Sequence, residues 1–282
     1  MFHVEQNQIH ISVVDHFFSQ EKFDIVKTKT TGLLQTHPTP TKKEMYKYYN
    51  SKKYISHNSK KTGVFYFLYR IFRDFNFWFK YRAISNKENC NDILDFGSGE
   101  EYFKERLEQK NYNVCGVDPF RTNRSKEIFE SIFSKELDGK IFNCITAWHS
   151  LEHVHDLDLV ISRFYQLLDE KGTVVVAVPN YRSLDAKYYK GFWAAYDTPR
   201  HLWHFDRQSI KQVFYKNGFN LVKSKPLFLD AYYISLLSEK YRKSKLWLFN
   251  SLLLGTLSNI NAIFTKQYSS NIFIFKKTKT ST

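Results

Sequence analysis

The feature that most constrains the fold is the stretch Asp92-Ile93-Leu94-Asp95-Phe96-Gly97-Ser98-Gly99. A short apolar run passes directly into two glycines at alternate positions, and a helical pattern comes next. Such a run reads as a buried strand, and glycine lets the backbone turn tightly or pass close beneath a ligand. An acid at the strand end, with a helix start just behind the turn, suits a nucleotide-like ligand. The same turn also serves any tight loop, so its meaning rests on the residues found downstream at the right distances.

Downstream the chain alternates in a βα series. Strands are expected over 93–96, 113–117, 142–147 and 173–178, with helical patterns over 101–110, 125–133 and 157–168 between them. A helix over 207–217 and strands over 219–225 and 271–276 complete the series. This alternation predicts an α/β fold with a doubly wound, mostly parallel seven-stranded sheet. Ligands of such sheets sit outside the carboxyl ends of the strands. Ahead of the sheet, residues 63–84 place Phe65, Leu68, Tyr69, Phe72, Phe75, Phe79 and Ile84 at helical spacing, with Arg70, Arg73, Lys80 and Arg82 interleaved. A helix packed on the core is expected, although basic and aromatic residues so mixed also suit nucleic acid or a membrane surface.

Residues 1–62 read as a small N-terminal appendage and linker. Short strands are expected over 9–14 and 23–26, and a turn at Thr28-Lys-Thr-Thr-Gly32. The prolines within 36–41 are expected to break regular structure, and Thr41 and Glu44 to start a short helix reaching Tyr49. Residues 63–282 form the main domain.

Lys and Arg number 42 against 28 Asp and Glu, a net charge of +14. The lysines are dispersed, so a solvated surface is expected rather than a nucleic-acid groove, though the charge leaves nucleic acid open as a partner. Cys90, Cys115 and Cys144 lie far apart, which argues against a disulfide framework and a four-ligand metal site and fits a reducing cytoplasm. No segment offers the ~20 apolar residues of a membrane span; the nearest, 246–255, is too short. Nothing in the sequence sets the oligomeric state.

Asp118 closes the second strand about twenty residues after the glycine turn, where a carboxylate can accept both hydroxyls of a ribose. Together with Trp148-His-Ser-Leu-Glu-His-Val154 and Lys171-Gly-Thr-Val-Val-Val-Ala-Val-Pro-Asn180, this order resembles the class I S-adenosylmethionine-dependent methyltransferases, closest to their ubiquinone-biosynthesis-like small-molecule branch. The resemblance covers about residues 60–282 and implies the Rossmann-like methyltransferase sheet. It also implies S-adenosylmethionine as cofactor: Asp95, Gly97 and Gly99 beside its methionine part, Asp118 on the ribose, and Ala147 to His149 along it near the methyl group.

Two departures stand out. The family commonly has a small residue and a third glycine after Gly99, where this chain has Glu100 and Glu101. Similar proteins carry a Cys-x-x-Cys-Gly zinc knuckle near the N-terminus; here Thr28 and Thr31 stand in the cysteine places, so the appendage reads as a zinc-ribbon-like module whose metal ligands are lost. His149-Ser-Leu-Glu152-His153 satisfies H-x-x-E-H, but it follows a strand directly, which argues against a zinc peptidase. Relatives of the ubiquinone type suggest a divalent cation near Glu152 and His153; the alternative is that the two only fix the loop.

Methyl transfer to a hydroxyl is a direct displacement that needs a base. His153, His201 and His204 are the candidates, and Arg200 could hold an anionic acceptor group. The expected activity is therefore methyl transfer to a small molecule, at oxygen. Two competitors are a degenerate fold that binds without catalysis, because of Glu100 and Glu101, and a nucleic-acid methyltransferase. The sequence lacks the (D/N)-P-P-(Y/F) turn of base amino-group methylation.

Overall fold

The computed structural model describes residues 4–49, 64–84, 90–120 and 127–278. The boundary expected near residue 62 lies outside them, as do the first residues of the helical pattern expected over 125–133.

The chain enters through three antiparallel strands, β1 (Val4–Val14), β2 (Lys22–Thr28) and β3 (Leu34–His37), followed by helix α1 (Lys42–Tyr49). The expected break over 36–41 starts later than its threonine: Thr36 and His37 still belong to β3, and only then do the prolines end the ladder. Thr41 and Glu44 cap α1 reciprocally. The Thr41 N–H and hydroxyl donate to Glu44 Oε2 at 2.7 and 2.8 Å, and the Glu44 N–H donates to Thr41 Oγ1 at 3.3 Å. In the Thr28–Gly32 turn the Thr28 hydroxyl donates to the Leu33 carbonyl at 3.0 Å and Gly32 takes φ +78.

Helix α2 (Val64–Ile84) leads to the main sheet. Its elements are β4 (Asp92–Phe96), α3 (Tyr102–Glu108), β5 (Asn113–Val117), β6 (Ile128–Phe129), β7 (Phe142–Trp148), α4 (Leu157–Leu167) and β8 (Leu168–Pro179). Next come α5 (Leu184–Tyr189), β9 (Trp203–His204), α6 (Arg207–Lys216) and β10 (Phe219–Pro226). The chain closes with α7 (Phe228–Tyr241), α8 (Trp247–Thr265) and β11 (Ser270–Lys277). Seven strands order as β10-β11-β8-β7-β4-β5-β6, parallel except for β11. The helix expected over 125–133 is not formed within its described part: Ile128 and Phe129 pair with Gly116 and Val117 as the edge strand β6.

The β8 run Thr173–Val178 is buried at every residue because helices cover both faces of the sheet. One of those helices, α4, buries Leu157, Val160, Ile161, Phe164 and Leu167, a stripe at helical spacing. Truncating any one to Ala removes roughly 2–5 kcal/mol. β9 belongs to the other sheet. Leu34 and Gln35 of β3 pair with His204 and Trp203, so the main domain supplies the fourth strand of the N-terminal sheet.

Candidate functional site

The site is built at the carboxyl ends of β4, β5 and β7. Asp95 sits in register between Gly116 of β5 and Thr146 of β7. It is fully buried and accepts the Thr146 hydroxyl at 2.7 Å. Burial raises its pKa to about 6, against the opposing pull of Thr146 and Lys80. Gly97 (φ +79) and Gly99 (φ +52) make the turn. A Cβ on Gly97 would meet Ser150 Cβ at 2.4 Å, so this glycine permits close packing. A Cβ on Gly99 would meet nothing within 4 Å, so the turn faces open space there.

Asp118 reaches back across the turn. Its Oδ2 accepts the Gly99 N–H at 2.9 Å and its Oδ1 accepts the Phe120 N–H at 2.9 Å. Each carboxylate oxygen keeps a second lone pair, and the residue is partly exposed. Where the resemblance leads one to expect a third glycine, Glu101 is buried with φ +63, in the left-handed region that favours glycine. Glu100 points to solvent. Ala147 lies fully buried in β7, paired with Phe96.

Beyond β7 the chain turns through His149, itself at φ +52. His149 Nδ1 lies 3.3 Å from Glu152 Oε1, and Nε2 lies 3.0 Å from Asp230 Oδ2 on α7. Burial opposes the imidazolium, but the two carboxylates outweigh it and lift the His149 pKa to about 9. Burial likewise opposes the charges of Glu152 and Asp230; hydrogen bonds and nearby positive charge nevertheless hold both below the usual carboxylate range. Glu152 has no accessible surface, and neither of its carboxylate oxygens has a hydrogen bond of good geometry among the described residues. Asn76 of α2 donates to Asp230 at 3.2 Å, and the charges of Asp230 and Asp95 act on Lys80, whose pKa burial lowers. A cavity of about 180 Å³ opens between Asn76, Lys80, Tyr102, Phe103 and Tyr233.

His153 and His201 complete the cluster. Their rings meet edge to face at 4.6 Å. His153 Nδ1 lies 3.0 Å from the Arg200 carbonyl and 2.8 Å from the Tyr49 hydroxyl of α1. His201 Nδ1 lies 2.8 Å from the Ala195 carbonyl. A ring nitrogen facing a carbonyl carries the proton, which leaves the other nitrogen as a lone pair. Burial and the neighbouring His201 push the His153 pKa down to about 4, so its ring is neutral near pH 7. One ligand atom each of Glu152, His153 and His201 lies within 4.8 Å of the others.

Two expected residues lie elsewhere. His204 is buried in β9 with Nε2 2.9 Å from the Thr36 hydroxyl, and burial holds its pKa well below the ordinary value. Arg200 does not face the cleft. It is buried and donates to Asp197 at 2.6–3.0 Å and to Asp15 at 2.9–3.4 Å, so its donors are occupied by the protein itself. Sequence reasoning does not place Asn76, Lys80 or Asp230 at the site. Asp230 lies far down the chain from His149, and no local signal links them.

Residues 66–224 match the family described as "Methyltransferase domain". No curated protein matches the sequence. Among solved structures, magnesium protoporphyrin IX methyltransferase from Synechocystis PCC 6803, with bound SAH, superposes with a TM-score of 0.54 at 12% identity, covering 84% of this chain and 100% of that one. A SAM-dependent methyltransferase from Thermotoga maritima superposes with a TM-score of 0.50 at 13% identity, covering 75% and 94%. At such identities the likeness establishes the Rossmann-like fold.

Proposed function

The chain belongs to the methyltransferase-domain family, and on that premise we propose that it moves a methyl group from S-adenosylmethionine to a hydroxyl of a small-molecule acceptor in the cytoplasm. The single observation that carries this reading is the glycine turn. Gly99 faces open space, its N–H is held by Asp118, and Asp118 keeps lone pairs for a ribose. Asp95, Gly97, Gly99 and Asp118, with Ala147 and His149 alongside, would hold the cofactor, which supplies an electrophilic methyl.

The protein's own residues do the rest. His153, neutral near pH 7, or its neighbour His201 takes the acceptor's proton as the oxygen attacks. His149, held as imidazolium by Glu152 and Asp230, keeps those carboxylates charged and in place. Arg200 and His204 are positioning residues that fix the loop bearing His201 against the N-terminal sheet. Isothermal titration with S-adenosylmethionine tests the reading. Saturable binding is expected, and no heat at high micromolar ligand would favour the non-catalytic binding module.

A second reading rests on Glu152, whose buried carboxylate, 3.3 Å from His149, also lies beside the free ring nitrogens of His153 and His201. Such a set suits a divalent cation that would polarise an acceptor oxygen. Titration with Mg²⁺, Mn²⁺ or Zn²⁺ followed by thermal denaturation decides it: a metal-dependent stabilisation lost in Glu152→Gln supports the site, and none removes it.

A further inference from the structure

Helix α8 has its polarity inverted. The face turned inward, against α5 and α7, carries Ser251, Leu254, Gly255, Ser258 and Ala262; Ser258 donates to the buried Asp185 at 2.7 Å, and Gly255 lies against Tyr232. The face turned outward carries Leu246, Phe249, Leu253, Leu257, Ile260 and Phe264, with Phe249 63% and Phe264 81% exposed. Leu248, Leu252 and Ile263, also exposed, widen this stripe to about half the circumference. A helix that points its serines inward and its phenylalanines outward leaves a contiguous apolar patch of the kind that marks an interaction surface. The helix contains no charged residue, yet no helix of the described residues is long and apolar enough to cross a membrane.

The charge around it is of one sign. Lys240, Arg242, Lys243 and Lys245 precede the helix, Lys266 follows it, and no Asp or Glu occurs after Glu239, which is itself buried. An apolar face whose flanking chain segments carry only cations at the surface complements an anionic lipid surface. A second copy would set identical positive rims against each other, and α8 lacks the flanking charges that register a coiled-coil pair. We propose that α8 seats the protein on an anionic membrane surface, lying in the interface with its leucines and phenylalanines among the acyl chains.

The position of α8 gives this docking a purpose. β10 runs parallel to β8, so the α7–α8 hairpin leaves the sheet at the carboxyl ends of the parallel strands, the end that also carries the glycine turn, and α7 delivers Asp230 to His149. The hairpin begins beyond the segment matched to the methyltransferase family, and its docking stands independently of methyl transfer.

Flotation of the full chain with vesicles tests the inference. Binding to phosphatidylcholine vesicles containing phosphatidylglycerol is expected to exceed binding to pure phosphatidylcholine and to weaken with salt. The double substitution Phe249→Glu and Leu253→Glu, at exposed positions, should cut vesicle binding by about tenfold or more. It should leave S-adenosylmethionine titration unchanged, which separates loss of docking from loss of the cofactor site. Equal flotation with both vesicle types, no flotation at all, or a dimer by light scattering that the same substitutions dissociate, would each overturn the proposal.

Discussion

Two buried charge networks sit side by side, and they differ in one respect. In the first, Arg200 spends its donors on Asp15 and Asp197, and Asp15 also accepts the N–H groups of Phe17, Phe18 and Ser19. That network is closed. In the second, His149 bridges Glu152 and Asp230, while the Glu152 oxygens stay without a well-formed hydrogen bond. That network is open. A closed network holds parts of a fold together, whereas an open one keeps charge available, at a cost in stability, for something that arrives later.

Breaking the closed network should have the largest effect. Arg200→Ala leaves the buried Asp15 and the partly exposed Asp197 without their cation and is expected to cost about 3–5 kcal/mol in urea denaturation. If the loss is under about 1 kcal/mol, the ion pairs are not what joins the N-terminal sheet to the main domain. The open network should respond in the opposite way. Glu152→Gln is expected to lower turnover on an identified acceptor by about a hundredfold or more while the chain stays folded, because the isosteric amide keeps an oxygen facing His149 and gives up only the charge. A variant that unfolds instead would make Glu152 a structural residue.

The pH dependence sharpens the contrast. The folded-state pKa of His149, about 9, lies above its ordinary value of 6.5. Its contribution is therefore fully present below about pH 6.5 and is lost as pH rises through about 9, on the order of 2 kcal/mol after discounting for partial exposure. Chemical denaturation between pH 6 and 10 should show this slope in the parent and not in His149→Gln; equal slopes would mean that the imidazolium is not held by its carboxylates. The smallest effect is expected at the glycine turn. Gly97→Arg is a poor probe, since even a Cβ there collides with Ser150. Asp118→Ala should weaken S-adenosylmethionine about tenfold by calorimetry, the worth of one charged hydrogen bond. Unchanged affinity would remove the ribose assignment.

The centre of the sheet is legible in the sequence because its signals are local. The run from Asp92 to Gly99 states a strand and a turn within eight residues, and Asp118 comes at a spacing set by one helix and one strand. Helix α4 is equally legible from its stripe. The features that stay hidden depend on distant partners. Trp203 and His204 look like loop until β3 pairs with them, and Asp230 gains its role only when α7 folds against His149. The stretch 125–133 departs from expectation because Ile128 and Phe129 pair as an edge strand, where pairing overrides a helical pattern. Helix α8 escapes for a different reason: all its leucines but Leu254 face outward, so apolar periodicity marks its surface instead of its core.

The pairing of β3 with β9 also bears on how the protein is made. The first three strands leave the ribosome long before Trp203 and His204 exist. At roughly 5–20 residues per second, the open edge of β3 waits on the order of ten seconds or more for its partner. Asp15 waits equally long for Arg200. During that interval the nascent chain carries an uncapped β-edge, the kind of surface on which chains misassociate. Slow synthesis across the main domain should therefore lower the yield of native protein, and holdase chaperones should be drawn to the first fifty residues rather than to the aromatic core made after them.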